Sequence, residues 1–488
     1  MKKLLLQVLG AGALVALASA VPIRTGEGAA LTRGLAAVRS DFISADIYFF
    51  AADAMGGRDT PSTGLKIAAN YIRARLQRIG FQPGGDEGFF APYDLESKRL
   101  DPEESEASFT LGGETHALEY GKDYFFRSSG VANLDLSGRT VFCGKGSEKD
   151  VAELDLAGAW AVVYYSRLSR RGAADNVRER GAIGLIVTPG PDYDGRPFHE
   201  RYRTWARRAR TGSTRLPTGK PHVEVYPTVH LGAKKGGLLI GNAPALGQDL
   251  DAVFHERRAL VGGSSRISVD NVCGLWPGAD PELSKEVLIV SAHYDHVGTR
   301  GEVVYNGADD NGSGSTGLLA LAEALVQYGP MRRSVLLIWV SGEEKGLLGS
   351  RAWTKNPTLP EGHRAVANIN IDMIGRNAPD YLLITPTKEL EQYNDLVRMA
   401  EAAAPLEGFP ELGSCDEYWA RSDQKSFSDN LGIPVCFVFS DVHEDYHQPT
   451  DTPDKIDTDK IRRVVRVVLR MLDGLQTDEL FADASAGR

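Results

Sequence analysis

Residues 306–314 read Asn-Gly-Ala-Asp-Asp-Asn-Gly-Ser-Gly, a glycine-rich acidic loop that leads directly into a helix-forming segment at residues 316–328. The adjacent carboxylates of Asp309 and Asp310 stand just before this predicted helix. Two acidic side chains at that place could simply cap the helix and interact with its dipole. The segments on either side of the loop favour a chemical role instead.

Four short apolar runs have the pattern of buried parallel strands, and each ends in residues that can carry chemistry. The runs are residues 287–290, 335–340, 366–371 and 435–439. They are followed, in the same order, by His293-Tyr-Asp295-His296, by Glu343-Glu344, by Asp372, and by a loop with His443 and His447. In open α/β sheets, ligands bind outside the carboxyl ends of the strands, so these side chains should gather along one edge.

Histidine and carboxylate ligands without cysteine favour zinc or a similar divalent ion in a catalytic site. Two histidines and three carboxylates are enough for two such ions, with one carboxylate shared between them. Asp295 follows His293 by two positions and could accept the second ring N–H of that histidine. The pair Glu343-Glu344 offers one ligand and one free base.

The motifs SAHYDHVG, NGADDNGSG, SGEEKGLLGS, NINIDMIG and YHQPTDTPDKI resemble those of a known family. This family is the co-catalytic di-zinc aminopeptidases of metallopeptidase family twenty-eight, in the version with an inserted protease-associated domain. The resemblance implies two Zn²⁺ per chain and five metal ligands, namely His293, Asp309, Glu344, Asp372 and His447.

The same resemblance assigns a role to individual residues. It implies that Asp309 bridges the two ions, that Glu343 is the general base, and that Asp295 orients the first histidine of the motif. It also implies a non-proline cis peptide just after the bridging aspartate, between Asp309 and Asp310. His296 and His443 have no ligand role in the family pattern, and we expect both either to contact the ligand residues or to be structural.

The expected fold is α/β, a mixed and mostly parallel sheet flanked by helices. This zinc-aminopeptidase-like (phosphorylase/hydrolase-like) fold would carry an inserted β-rich α+β protease-associated domain. A chain of 488 residues suggests two or more domains. We place the catalytic domain at residues 31–110 and 261–478 and the insertion at residues 111–260. The loop at residues 56–64 resembles a Gly-Arg loop near the substrate cleft, although a capped solvent loop is an equal alternative.

Residues 1–20 are typical of a secretory signal peptide, with a basic start, an apolar run and a small-residue cleavage site. We expect an exported protein, periplasmic or extracellular, without a membrane span in the mature chain. A formal net charge of −10 argues against a nucleic-acid partner. The family resemblance implies peptides as the partners. The four cysteines predict at most one disulfide, with Cys415 and Cys436 the favoured pair.

Together these features predict an exported zinc-dependent exopeptidase, and specifically an aminopeptidase, because the carboxylates around the site favour a free α-ammonium group. Three alternatives stay open. One is a carboxypeptidase or dipeptidase on the same scaffold, with Arg376, Arg421 or Lys425 binding the substrate carboxylate. The others are a glutaminyl cyclase with a single zinc and a non-catalytic, receptor-like binding module.

Overall fold

The computed structural model describes residues 28–126, 133–169, 172–217, 226–242, 244–261, 265–478 and 480. The predicted signal peptide at residues 1–20 lies outside these ranges. The chain divides into two compact units, a first unit that ends at Ala91 and resumes at Asp270, and an inserted unit, Pro92–Val269. The predicted borders were at residues 111 and 260. The observed borders differ because each lies inside a strand, at residues 90–98 and 265–276, where no turn-forming segment marks it in the sequence.

Helices and strands occur in both units, and they are numbered in chain order. The α-helices of the described residues are α1 (Ala29–Ala37), α2 (Ser40–Phe50), α3 (Thr63–Ile79), α4 (Glu148–Val151), α5 (Ala173–Glu179), α6 (Phe198–Arg201), α7 (Arg203–Thr211), α8 (Ala233–Ile240), α9 (Gly314–Tyr328), α10 (Leu348–Lys355), α11 (Asp395–Ala403), α12 (Gln424–Leu431) and α13 (Thr458–Gly474). The strands are β1 (Gln82–Pro83), β2 (Phe90–Lys98), β3 (Glu106–Leu111), β4 (Glu114–Leu118), β5 (Tyr124–Phe125), β6 (Leu134–Phe142), β7 (Trp160–Tyr164), β8 (Gly184–Thr188), β9 (Ser213–Arg215), β10 (Thr228–Leu231), β11 (Asp249–Arg258), β12 (Ser265–Trp276), β13 (Glu286–His293), β14 (Thr299–Arg300), β15 (Val303–Val304), β16 (Ser334–Val340), β17 (Arg364–Asp372), β18 (Leu382–Thr385), β19 (Leu412–Ser414) and β20 (Val435–Phe439).

The sheet of the first unit has the strand order β19-β18-β20-β17-β13-β16-β12. Its four central strands, β16, β13, β17 and β20, run parallel to one another, and they contain the four apolar runs found in the sequence. The neighbours β12 and β18 are antiparallel to this group. The predicted mixed, mostly parallel α/β fold is therefore confirmed. Because all four central strands point the same way, their carboxyl ends meet at one edge of the sheet.

Helices of the first unit begin and end where local chemistry places them. The side chain of Ser62 accepts a hydrogen bond from the Leu65 amide at the start of α3, and Gly80, with φ of 91°, ends that helix in the left-handed conformation that glycine adopts without strain. The Asp457 side chain caps α13 in the same way, through the Lys460 amide.

The inserted unit has its own sheet, with the order β4-β3-β11-β6-β7-β8-β10-β5. Strands β6, β7, β8 and β10 are parallel, and the outer pairs are antiparallel. Its core contains buried aromatic side chains, among them Phe109, Trp160 and Phe254. This unit is therefore β-rich with a few helices, as predicted for the insertion.

None of the helices formed by the described residues is both long and apolar enough to cross a bilayer. The four cysteines all lie within the described ranges, and each is a free, buried thiol. Cys415 and Cys436 therefore do not form the disulfide that the sequence favoured. Cys436 is in a central strand and Cys415 is also buried, so both side chains contribute to packing.

Candidate metal centre

Two groups of histidine and carboxylate side chains meet at the carboxyl edge of the parallel strands. One consists of His293, Asp310 and Asp372, and the other of His296, Asp310, Glu344 and His447. Within each group, one ligand atom of every residue lies within 4.8 Å of the others. Asp310 is common to both groups, so a single carboxylate stands between two potential metal positions.

The two oxygens of Asp310 face different groups. Its Oδ1 lies 3.4 Å from Nε2 of His293, and that nitrogen is also 3.1 Å from Oδ1 of Asp372. Its Oδ2 lies 3.0 Å from Nε2 of His447, which is 3.1 Å from Oε1 of Glu344. This arrangement is the one required of a bridging carboxylate.

Asp309, which we expected in the bridging position, belongs to neither group. Its Oδ1 accepts a hydrogen bond from the Gly375 amide at 2.7 Å, and its Oδ2 lies 3.2 Å from Nε2 of His443. The two adjacent side chains point in different directions, so only Asp310 faces the histidines of the two groups, whereas Asp309 faces His443. The expectation for Asp309 is corrected to Asp310, while His443 stays outside both groups.

The non-proline cis peptide lies one residue later in the chain than predicted, as the shared aspartate does. It joins Asp310 to Asn311 rather than Asp309 to Asp310, so the predicted location was wrong, although the bond does follow the aspartate shared by the two groups. Asn311 ties this loop to the end of β17, because its side-chain oxygen accepts hydrogen bonds from the amides of Gly314 and Met373.

Other loops hold the ligand-bearing segments in place. The carboxylate of Asp451 accepts hydrogen bonds from the amides of Asp309 and Asp310. Ser315, at the start of α9, donates its hydroxyl hydrogen to the carbonyl of His293 at 2.7 Å. The hydroxyl of Ser422 donates to Oδ2 of Asp372, also at 2.7 Å. The acidic loop, α9 and the strand ends are thus joined by direct hydrogen bonds.

Asp295 lies close to the ring of His293. The Nδ1 atom of His293 is 3.2 Å from the Asp295 main-chain oxygen and 3.6 Å from its carboxylate. The carboxylate also accepts hydrogen bonds from the hydroxyl of Thr60 and the amide of Glu343. Asp295 therefore connects the histidine of one group with the backbone of the Glu343-Glu344 pair.

Arg58 is a fully buried cation near the site. Its guanidinium is fully buried and donates hydrogen bonds to the carbonyls of Phe50, Tyr294, Asn306 and Gly307. Because Tyr294 stands between two site residues and Gly307 precedes the aspartate pair, Arg58 joins two ligand-bearing loops. The loop at residues 56–64 is therefore neither a solvent loop nor a source of a cation that is free to meet substrate.

The charges of the site stabilise one another. Burial lowers the pKa of His293 and His447, but the neighbouring carboxylates outweigh it, so the pKa of His293 rises well above its usual range and that of His447 rises to about 10. Burial raises the pKa of Asp310 and Glu344, yet the histidines hold both below their usual range. Glu343 differs, because burial and the adjacent Glu344 raise its pKa well above the ordinary value.

The chemistry of this donor set fits zinc. Nδ1 of His296, Oε1 of Glu344 and Nε2 of His447 are buried and form no hydrogen bond with the described residues, although they converge on one point. Buried polar atoms are normally paired, so such a cluster calls for a cation. Imidazole nitrogens and carboxylate oxygens are zinc ligands. His296 was expected to have no ligand role, and nothing in the motif spacing distinguished it from a packed histidine.

The fold and the site together define an α/β protein with a paired metal centre of histidines and carboxylates. Residues 271–472 match the family model of Peptidase family M28. This segment, which contains all the residues of both groups, belongs to peptidase family M28.

Curated relatives agree with this family. The chain is 31% identical over 207 residues to a probable leucine aminopeptidase of Arthroderma otae, which covers 39% of this chain and 54% of the relative. It is 33% identical over 176 residues to leupeptin-inactivating enzyme 1 of Streptomyces exfoliatus, covering 35% of each. The chain therefore spans about half or less of these two relatives.

Solved structures support the fold over most of the chain. An aminopeptidase from Aneurinibacillus sp. strain AM-1 has a TM-score of 0.57 at 21% identity and covers 90% of this chain and 95% of its own. A zinc aminopeptidase from Bacillus subtilis has a TM-score of 0.54 at 19% identity and covers 91% and 97%. At these identities the likeness concerns the fold.

Proposed function

We propose that the protein is a zinc-dependent aminopeptidase that removes amino-terminal residues from peptides, with two Zn²⁺ per chain. The observation that carries this proposal is the position of Asp310 between two groups of ligands. His293 and Asp372 would hold one ion with it, and Glu344 and His447 the other. Zinc at these positions would supply Lewis acidity toward the peptide carbonyl and lower the pKa of a water molecule.

The protein's own residues would perform the proton transfers. The Glu343 carboxylate takes a proton from the attacking water as the new C–O bond forms, and it returns that proton to the amine nitrogen as the C–N bond breaks. A raised pKa suits this task, because the group must both accept and donate the proton near neutral pH. Asp295 acts through another residue, since it fixes the ring of His293.

Charge supports cleavage at the amino terminus. The carboxylates of Asp310, Glu344, Asp372 and Glu343 surround the site, and a free α-ammonium group fits beside them. Opposite charges a few ångströms apart are worth about 4 kcal/mol at an effective dielectric constant of 20, before desolvation costs.

The cations suggested for a carboxypeptidase are largely occupied. Arg376 pairs with Asp445 at 2.9 Å, and Lys425 pairs with Asp429. Lys425 would have to exchange this partner for the substrate carboxylate, whereas Nη1 of Arg376 is buried and forms no hydrogen bond with the described residues. Arg421 is exposed and keeps this alternative testable.

A set of four peptides tests the direction and the chemistry. One has a free amino terminus, the second is N-acetylated, the third is C-amidated, and the fourth begins with glutamine. We expect acetylation to abolish cleavage, amidation to be tolerated, and a chelator to remove activity that zinc restores. Loss of cleavage on amidation would indicate a carboxypeptidase, cyclisation of the glutamine peptide without hydrolysis would indicate a cyclase, and binding without turnover would indicate a receptor-like module.

We also propose that the inserted unit is a protease-associated domain, and that residues 1–20 direct export to the periplasm or the exterior. Support comes from the unit's separate β-rich fold and from the sequence pattern at the amino terminus. Amino-terminal sequencing of protein recovered outside the cytoplasm should begin after Ala20. Recovery of uncleaved protein in the cytoplasm alone would contradict the export proposal.

A further inference from the structure

His296 is placed differently from an ordinary core histidine. Its side chain is fully buried, and its Nδ1 lies 3.0 Å from Oε1 of Glu344 and 3.5 Å from Oδ2 of Asp310. Its ring stands edge-on to that of His447, with the ring centroids 5.5 Å apart. These are the other three members of the four-residue group.

Both ring nitrogens of His296 lack a hydrogen bond with the described residues. Although Nδ1 is within 3.0 Å of Glu344, the geometry of the two groups is not that of a hydrogen bond. A buried imidazole normally has at least one hydrogen-bond partner. A nitrogen that faces two carboxylate oxygens and a second imidazole has the surroundings of a metal ligand.

The backbone around His296 is arranged to hold the ring there. Its amide donates a hydrogen bond to the carbonyl of Arg58 at 3.2 Å. Gly307 lies against the ring, and a Cβ at that position would come within 2.4 Å of the His296 Cγ atom. Gly307 also has a φ of 61°, so any other residue would be strained as well as displaced. The glycine before the acidic pair therefore makes room for this imidazole.

We propose that His296 is a fourth protein ligand of the ion held by Asp310, Glu344 and His447. This proposal rests on the proposed function, since it requires that ion. The two metal positions are then unequal, with four protein ligands on one side and three, from His293, Asp310 and Asp372, on the other. Zinc sites with four protein ligands are closed and tightly bound, whereas catalytic sites keep an open position. The four-ligand position should fill first, and the three-ligand position should accept the substrate.

The alternative is that His296 only donates a hydrogen bond to Glu344, and His296→Asn distinguishes the two roles. The asparagine amide can occupy the place of Nδ1 and donate the same hydrogen bond, but it is not a zinc ligand. The control is His443→Asn, which changes another buried histidine that lies beside Asp309 in neither group. Both variants and the full-length wild type are titrated with zinc against a chromophoric chelator, and folding is followed by circular dichroism.

We expect the wild type to bind its first zinc most tightly, His296→Asn to bind it at least 10-fold more weakly, and His443→Asn to resemble the wild type. Loss of an outer hydrogen bond alone can also weaken binding by about 10- to 100-fold. X-ray absorption of the one-zinc form therefore decides, because the number of imidazoles should be two in the wild type and should fall in His296→Asn.

Several results would overturn this proposal. One imidazole in the wild-type one-zinc form would do so, and this measurement needs no variant, so it holds even if His296→Asn does not fold. Wild-type affinity and imidazole count in a folded His296→Asn would also overturn it while leaving the proposed function intact. A folded wild-type protein that binds no zinc would overturn both the ligand role of His296 and the proposed function.

Discussion

Arg58 offers a direct test of how the ligand-bearing loops are held together. Its guanidinium donates to the carbonyls of Phe50 at 2.5 Å, Tyr294 at 2.9 Å, Asn306 at 2.7 Å and Gly307 at 2.8 Å. Burial lowers the pKa of Arg58 to about 10 although nearby carboxylates oppose the shift. The four hydrogen bonds therefore have to offset a real desolvation cost.

The size of the effect follows from the number of carbonyls. A buried acceptor left without its donor costs about 1 to 3 kcal/mol. Arg58→Met would leave three such acceptors, the carbonyls of Phe50, Tyr294 and Asn306, because the Gly307 carbonyl keeps the Gly312 amide as a donor. The expected loss is about 3 to 9 kcal/mol, a large share of a typical domain's total stability of about 5 to 15 kcal/mol. Arg58→Lys keeps the charge but carries its three donors on one atom, so it cannot form all four hydrogen bonds that the three guanidinium nitrogens make. We expect Arg58→Lys to fold with about 1 to 3 kcal/mol less stability.

The metal affinity should fall as well. Tyr294 stands between His293 and Asp295, and Gly307 lies three residues before Asp310, so movement of either carbonyl displaces metal ligands. Loss of such a supporting contact typically weakens metal binding by about 10- to 100-fold. The assay is urea denaturation of the zinc-free protein, followed by zinc titration under native conditions.

Arg333→Lys is the matched control. Arg333 is also a fully buried arginine of the first unit, and it donates to the carbonyls of Leu475 and Thr477 and to the carboxylate of Glu286. None of these acceptors belongs to the site, so the control should lose stability and keep its zinc affinity. Equal zinc affinities in Arg58→Lys and the wild type would refute the role given to Arg58.

Three further outcomes are expected. Glu343→Gln should lower turnover by about 10² to 10⁴ while zinc content stays unchanged; turnover near the wild-type value would contradict its role as the base. Asp310→Asn should lose both zinc ions together, whereas Asp309→Asn should retain at least one by elemental analysis, and the reverse order would make Asp309 the bridging residue. Burial raises the pKa of all four thiols, and that of Cys143 and Cys436 to about 12. Ellman's reagent should therefore react slowly with the native protein and should find four thiols after denaturation without reductant. Fewer than four thiols would reveal a disulfide.

The central strands were predictable because each is buried on both faces. Strand β16 has no exposed residue, so its sequence is a continuous apolar run that needs no partner to be recognised. The order of the strands was not readable, since β13 pairs with β16 and β17 through contacts between distant segments. The sequence predicted that the strand ends meet at one edge, but it did not predict which strands are neighbours in the sheet.

In the candidate site, too, some features could be predicted from the sequence and others could not, and the difference can concern a single residue. Ligand types and their places after strands were readable from the motifs, whereas the choice between Asp309 and Asp310 depends on backbone torsions set by Asn311 and Asp451. His296 was given no ligand role, because the space that Gly307 leaves for its ring across the loop has no signal in the sequence. Such contacts are properties of the folded chain and have no local pattern.

The inserted unit has a consequence for how the chain folds. In the first unit, Gln82 pairs with Leu275, and closing a loop of about 190 residues costs roughly 4 to 5 kcal/mol of chain entropy. Within the inserted unit, Leu100 pairs with Leu260, so its own folding already brings the two connecting segments together. The remaining loop is then about 30 residues, and its closure costs roughly 1 to 2 kcal/mol less.

Synthesis of the chain follows the same order. The inserted unit is complete before Asp270 is made, so it can fold on the ribosome while the helices before it still lack their sheet. At about 5 to 20 residues per second, the remaining chain takes about 10 to 45 s to emerge. During that interval α1 to α3 expose apolar faces that only the later strands will cover, and the early folding of the insertion shortens the search by which those strands find them.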